Sequence, residues 1–231
     1  MQLKFASYNI HKSVGVDGKR DPERIISVLR EIDADVIALQ EADRRFGERE
    51  TTLPRALLDD TKWKVVHVAK RARSLGWHGN ALLVRRDIEI VDAHRLELPT
   101  LEPRGAVSAD LSRDGKEFRV LGMHLDLSGL RRGDQIRAIL HHCGERDHMP
   151  TVMMGDFNQW GRSRGVMRLF GKDWLSHDCG ASFPSRRPIA TLDRILSSRH
   201  WHGEKAHVHH SALAVAASDH LPVSAALELR A

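Results

Sequence analysis

Several polar residues in this chain stand where an apolar run stops. "FASYN" ends in Asn9, "VIALQE" in Glu41 and "RVLGMH" in His124. "VMMGDFN" delivers Asp156 and Asn158, and "ASDH" offers Asp219 and His220 just before the last apolar run. Burial explains none of them. Asp193 differs, because it lies inside the apolar "TLDRIL". A buried carboxylate costs several kcal/mol unless it is paired or hydrogen-bonded, so Asp193 needs a partner.

Carboxylate and amide oxygens suit a hard cation such as Mg²⁺ or Mn²⁺. Such an ion polarises a phosphoryl oxygen and steadies a leaving oxygen. A base must then orient or deprotonate water, and Asp156 fits that task with Asn158 fixing its geometry. A histidine paired with a buried carboxylate keeps one tautomer and can carry charge at neutral pH. His220 and Asp193 could form that pair. Arg104 in "EPRGAV" is a candidate phosphate clamp. Other chemistries fit poorly. The chain has no Cys cluster and no His-Glu-x-x-His pattern, which argues against the usual zinc site. Glycine-rich phosphate loops and a Gly-x-Ser-x-Gly elbow are absent as well.

Strand-like and helix-like segments alternate to position these residues. Strands are expected over 3–9, 35–40, 64–69, 80–84, 88–96, 105–111, 117–125, 151–154, 191–197, 205–210 and 221–229. Residues 21–32 read as a helix, with Asp21 as N-cap, Pro22 at the first helical position and an apolar stripe from Ile25 to Ile32. Further helices are expected over 51–60, 131–146 and 163–171. "DGK" at 114–116 is a hairpin turn signal. The meander-like middle run does not suit an all-parallel sheet. Two mixed sheets packed together with helices outside fit better. No linker or low-complexity stretch appears, so one domain is expected over 1–231.

The 231 residues suffice for a core without staples. Two cysteines, Cys143 and Cys179, make no disulfide framework. With no signal-like N-terminus and no long apolar span, a soluble, cytoplasmic protein is expected, and a monomer. The formal charge of +5 and pI of about 9.5 favour polyanions, or simply a solvated basic surface.

The ordered motifs "SYNIH", "LQE", "HGNALL", "PRGAV", "MHL", "GDFN", "LDRIL" and "SDH" span residues 7 to 220. Together they resemble the endonuclease/exonuclease/phosphatase superfamily of metal-dependent phosphoesterases. The resemblance implies a four-layered α/β sandwich with a cleft at one end. It implies that Glu41, Asn9 and Asp219 lie at the metal, and that Asp156 and Asn158 orient the attacking water. His220 would pair with Asp193, and His124 and Arg104 would contact the phosphate. His78 is a further phosphate contact or a turn residue, and Asn80 orders the site or binds phosphate. His124 and the small size resemble the pancreatic-type deoxyribonuclease and sphingomyelinase branches and small bacterial members. Nucleic acid, phospholipid headgroups and small phosphoesters are therefore all expected substrate classes. A binding module without catalysis is the competing expectation. The histidines around 141–148 and Cys143 are a metal site or, with Cys143 as core, no site, the histidines over 200–210 are a surface strand or a transition-metal site, and Trp160 is a stacking or packing residue.

Overall fold

A computed structural model describes residues 1–100, 104–145, 149–160 and 165–230, apart from the side chains of residues 204 and 205. The first sheet holds β1 (Gln2–Asn9), β2 (Val36–Gln40), β3 (Trp63–Val65), β4 (Ala81–Arg85), β11 (Trp201–Val208) and β12 (Val223–Leu229). Their spatial order is β11-β12-β1-β2-β4-β3. The second sheet holds β5 (Glu89–Leu96), β6 (Gly105–Arg113), β7 (Lys116–His124), β8 (Thr151–Asp156), β9 (Trp174–His177) and β10 (Asp193–Ser198), in the order β5-β6-β7-β8-β10-β9. Each sheet is mixed. β1 pairs parallel with β2, and β7 with β8, while their other neighbours run antiparallel.

The period-two side-chain alternation of a strand builds the layers. On β2, Val36 and Ala38 point between the sheets, while Ile37 and Leu39 point to the helices. On β8, Val152 and Met154 face the inter-sheet core and Met153 faces outward. Phe5, Phe118 and Trp201 meet edge-to-face at the centre. The helices α1 (Pro22–Ile32), α2 (Arg55–Asp59) and α4 (Ala212–Ala217) cover the first sheet, and α3 (Gly129–Gly144) covers the second. The expected four-layer sandwich is thus the observed one.

Local signals explain most elements. Asp21 caps α1 by accepting from Arg24 N, with Pro22 at the first turn. Asp114 and Gly115 both take positive φ, as the tight β6–β7 hairpin requires. Other expectations need correction. The helix expected over 51–60 is only α2, because Thr51 bridges to Asp43. The strand expected over 64–69 is Trp63–Val65, and that expected over 205–210 is Trp201–Val208. β9 and α4 were not expected: four residues and six are too few to display a period. Pro103, Arg146, His148 and residues 163–164 of the expected motifs and helices lie outside the described residues. Among the described residues, no helix is long and apolar enough to cross a membrane.

Candidate active site

Strand register collects the predicted residues at one end of the sandwich. In the second sheet, His124 of β7 lies opposite Asp156 of β8, and Asp156 lies opposite Asp193 of β10. Gly105, which follows Arg104, lies opposite His124. One row across four strands therefore carries Gly105, a histidine and two aspartates, with Arg104 just ahead of it. In the first sheet, Asn9 pairs with Gln40, placing Glu41 one residue past the strand end. The two sheets meet here: Asn9 Nδ2 donates to Asp156 Oδ2 at 3.1 Å.

"GDFN" is built by its backbone. A Cβ at Gly155 would lie 2.0 Å from the Met123 carbonyl oxygen, so the β7–β8 approach tolerates no side chain there. Asn158 adopts a left-handed conformation and donates its backbone N–H to Asp156 Oδ1 at 2.9 Å. Its Nδ2 donates to Leu125 O at 2.8 Å. Asn158 thus orients Asp156 through its main chain, while its side chain anchors the loop. Glu41, His78 and the run His11, Lys12 and Ser13 are also left-handed. Non-glycine residues held there cost of order 1–3 kcal/mol each, and such strain concentrates at functional sites.

His220 Nδ1 lies 2.8 Å from Asp193 Oδ2, which also accepts from Ser182 Oγ at 2.6 Å. His220 Nε2 lies 3.8 Å from Asp156 Oδ2, and the Phe183 ring packs on the imidazole with centroids 4.8 Å apart. Burial alone would lower the pKa of this imidazole. The Asp193 carboxylate overrides burial, Asp156 and Asp219 add to it, and the pKa is pushed up to about 10. His124 goes the other way. Burial pushes it down to about 3 with Arg104 adding, against the pull of Asp156. Arg104 donates to His124 Nε2, as a neutral imidazole allows. One histidine is therefore a cation and the other a neutral acceptor.

The candidate metal ligands lie beside these groups. Asn9 Oδ1 accepts from His11 N, and Ser218 Oγ donates to Asn9 O at 2.7 Å. Asp219 is half-exposed, with Oδ1 3.8 Å from His11 Nδ1. Lys12 Nζ contacts Glu41 Oε2, so a cation already stands on that carboxylate. The donors of Glu41, Asp219 and Asn9 are all oxygens, and they fit a hard divalent ion. Asp156, Asp193 and His220 also have ligand atoms close enough to surround a cation. The last two, however, spend their facing atoms on each other, and a protonated imidazole is no ligand.

The remaining predicted residues reach the site unequally. His78 lines the cleft with its Nδ1 2.8 Å from an Arg49 terminal nitrogen. Asn80 is wholly buried, and its Nδ2 donates to the carbonyl oxygens of Trp77 and Gly105. It ties the first sheet to the start of β6 instead of pointing into the cleft. Trp160 is exposed, and its ring stands nearly perpendicular to that of Phe183. His207 meets Ser224 Oγ and His209 meets Glu31, and among the described residues these histidines join no three-ligand group. Lys12, Arg49 and Ser182 were not predicted. Their local sequence gives no sign of them, because only the tertiary turn aims them here.

Comparison with known proteins agrees with this architecture. No curated protein matches by sequence. An endonuclease/exonuclease/phosphatase family protein from Bacteroides thetaiotaomicron superposes with a TM-score of 0.80 at 18% identity, over 100% of this chain and 99% of that one. Danio rerio TDP2, complexed with a single-strand DNA product, gives 0.74 at 15% identity, over 98% and 99%. A mannosyl-6-phosphatase from Bacteroides thetaiotaomicron gives 0.75 at 18%, over 98% and 100%. At these identities the likeness is one of fold. The family model for endonuclease/exonuclease/phosphatase proteins matches residues 6–220, from within β1 to His220. The chain belongs to the endonuclease/exonuclease/phosphatase family.

Proposed function

We propose that this protein is a Mg²⁺- or Mn²⁺-dependent phosphoesterase that hydrolyses a phosphodiester by in-line attack of water. Family members are metal-dependent phosphoesterases. The observation that carries the reading is the 3.1 Å hydrogen bond from Asn9 to Asp156. It joins Asn9 of the first sheet to Asp156 of the second, which supports reading the two sets of residues as one site.

Glu41, Asn9 and Asp219 would hold the ion, which supplies Lewis-acid charge at the phosphoryl and leaving oxygens. The chain's own groups do the rest. Asp156 is fixed through both oxygens by Asn158 N and Asn9 Nδ2, so its carboxylate is aligned to accept a proton from the attacking water. Protonated His220, held by Asp193, offers Nε2–H to a phosphoryl oxygen as charge grows there. Arg104, steadied by His124, clamps a second oxygen. His78 adds a neutral contact at the cleft edge.

The candidate substrate classes are nucleic acid, phospholipid headgroup and small phosphoester. One neighbour is complexed with a single-strand DNA product and another is a mannosyl-6-phosphatase. The test is turnover of bis-p-nitrophenyl phosphate with Mg²⁺, Mn²⁺ or chelator. Wild type should turn over only with metal, and Asp156→Asn should lose about 10³-fold or more while remaining folded. Absence of wild-type turnover on this diester, DNA, RNA and phospholipid alike would overturn the proposal.

A further inference from the structure

A second cavity adjoins the cleft, and the two share a wall. Arg49 and His78 line both. Beyond them the second cavity is lined by Lys70, Arg71, Ser74 and Trp77, and no carboxylate lines it among the described residues. This wall is held in place. The Arg49 side chain meets His78 Nδ1 at 2.8 Å, Ser74 Oγ donates to Arg49 O at 2.7 Å, and Arg71 donates to Gly47 O at 2.7 Å. Ser74 is buried, which fixes the cavity floor. Arg49 itself is left-handed, a conformation the loop maintains at a cost. The nearby acids are turned elsewhere. Glu50 pairs with Arg73 and Arg44, and Asp43 accepts from the N–H groups of Leu75 and Gly76. Glu97 is the acid whose field reaches His78.

Resting on the phosphoesterase reading, we propose that Arg49, His78, Lys70 and Arg71 form a second anion subsite. It takes a further phosphate of the substrate while the scissile phosphate lies between Glu41 and Arg104. One phosphate is already matched by the ion, His220 and Arg104. Arg49 and His78 line both cavities, whereas Lys70 and Arg71 line only the second, so a substrate with one phosphate in the cleft leaves that pair unmatched. Guanidinium and ammonium groups facing a cavity without carboxylates suit phosphate by charge and by hydrogen-bond geometry. The second phosphate can belong to the next nucleotide of a nucleic acid or to a bisphosphorylated small molecule.

Isothermal titration calorimetry of the full chain with chelator present tests this without turnover. The probes are thymidine 5′-monophosphate, thymidine 3′,5′-bisphosphate and propane-1,3-diyl bisphosphate. The expected result is a Kd about 10-fold or more lower for a bisphosphate than for the monophosphate, shrinking as salt rises. Lys70→Gln/Arg71→Gln should bring that ratio close to 1. Lys70→Gln alone should reduce it in part, which guards against disturbance of the Gly47 contact. A gain for both bisphosphates supports a subsite that reads phosphate alone. A gain for the nucleotide only supports a nucleic-acid substrate. Equal binding of all three probes, or no binding of either bisphosphate, overturns the inference. Failure of metal-dependent turnover would overturn the phosphoesterase reading while leaving a measured bisphosphate preference intact.

Discussion

At the scale of single residues, the site separates two histidines by their neighbours. His220 faces three carboxylates and His124 faces one carboxylate and a guanidinium. His220 should therefore remain protonated through neutral pH and titrate near 10 in chelator-treated protein, followed by NMR of the imidazole nitrogens. Asp193→Asn should lower that midpoint by more than one unit. The linked stability has a definite sign. The folded value lies above the unfolded value of about 6.5, so His220 stabilises fully below that pH and its contribution is lost as pH rises through 10. Denaturant unfolding of wild type against His220→Asn should show a larger gap at pH 6 than at pH 10. A gap independent of pH would mean that the His220–Asp193 pair is not ionic.

At the scale of elements, β7 and β8 carry the site because their backbones approach closely. Gly155→Ala would drive a methyl into the Met123 carbonyl, and the expected loss is about 3 kcal/mol, read by denaturant unfolding. Far from the cleft, β6 and β7 share a bidentate pair, with Arg119 donating to both oxygens of Asp110 at 2.6 and 2.9 Å. Both side chains are buried. Asp110→Ala should cost about 3–5 kcal/mol, because it leaves a buried guanidinium without its carboxylate. Metal-dependent turnover per folded molecule should be unaffected, which distinguishes this pair from the site pairs.

At the scale of the molecule, ion binding and folding are linked. A divalent ion that binds only the folded chain stabilises it by about 2.7 kcal/mol at 100 times its Kd. Mg²⁺ or Mn²⁺ should therefore raise Tm in wild type and much less in Glu41→Ala. Lys12 sits on Glu41; with Glu41 as the proposed ligand it competes with the ion, so Lys12→Gln should raise metal affinity in the same experiment. Tm curves for wild type and Glu41→Ala that coincide at every metal concentration would remove Glu41 from the metal site.

The layered α/β class and most strands are legible in the pattern of residue types alone. Alternation and capping are local signals, and Asp21, Pro22 and the "DGK" turn act within a few residues. So are the polar residues at the strand ends, since an unexplained carboxylate after an apolar run is visible without any fold. Tertiary structure alone decided which of them meet. Register set His124, Asp156 and Asp193 in one row, and sheet packing brought Asn9 to Asp156 across 147 positions of chain. The same packing turned Asn80 inward and aimed Lys12, Arg49 and Ser182 at the site. Those contacts depend on loop conformation and on distances between segments remote in sequence, and neither is encoded in a local period of residue types.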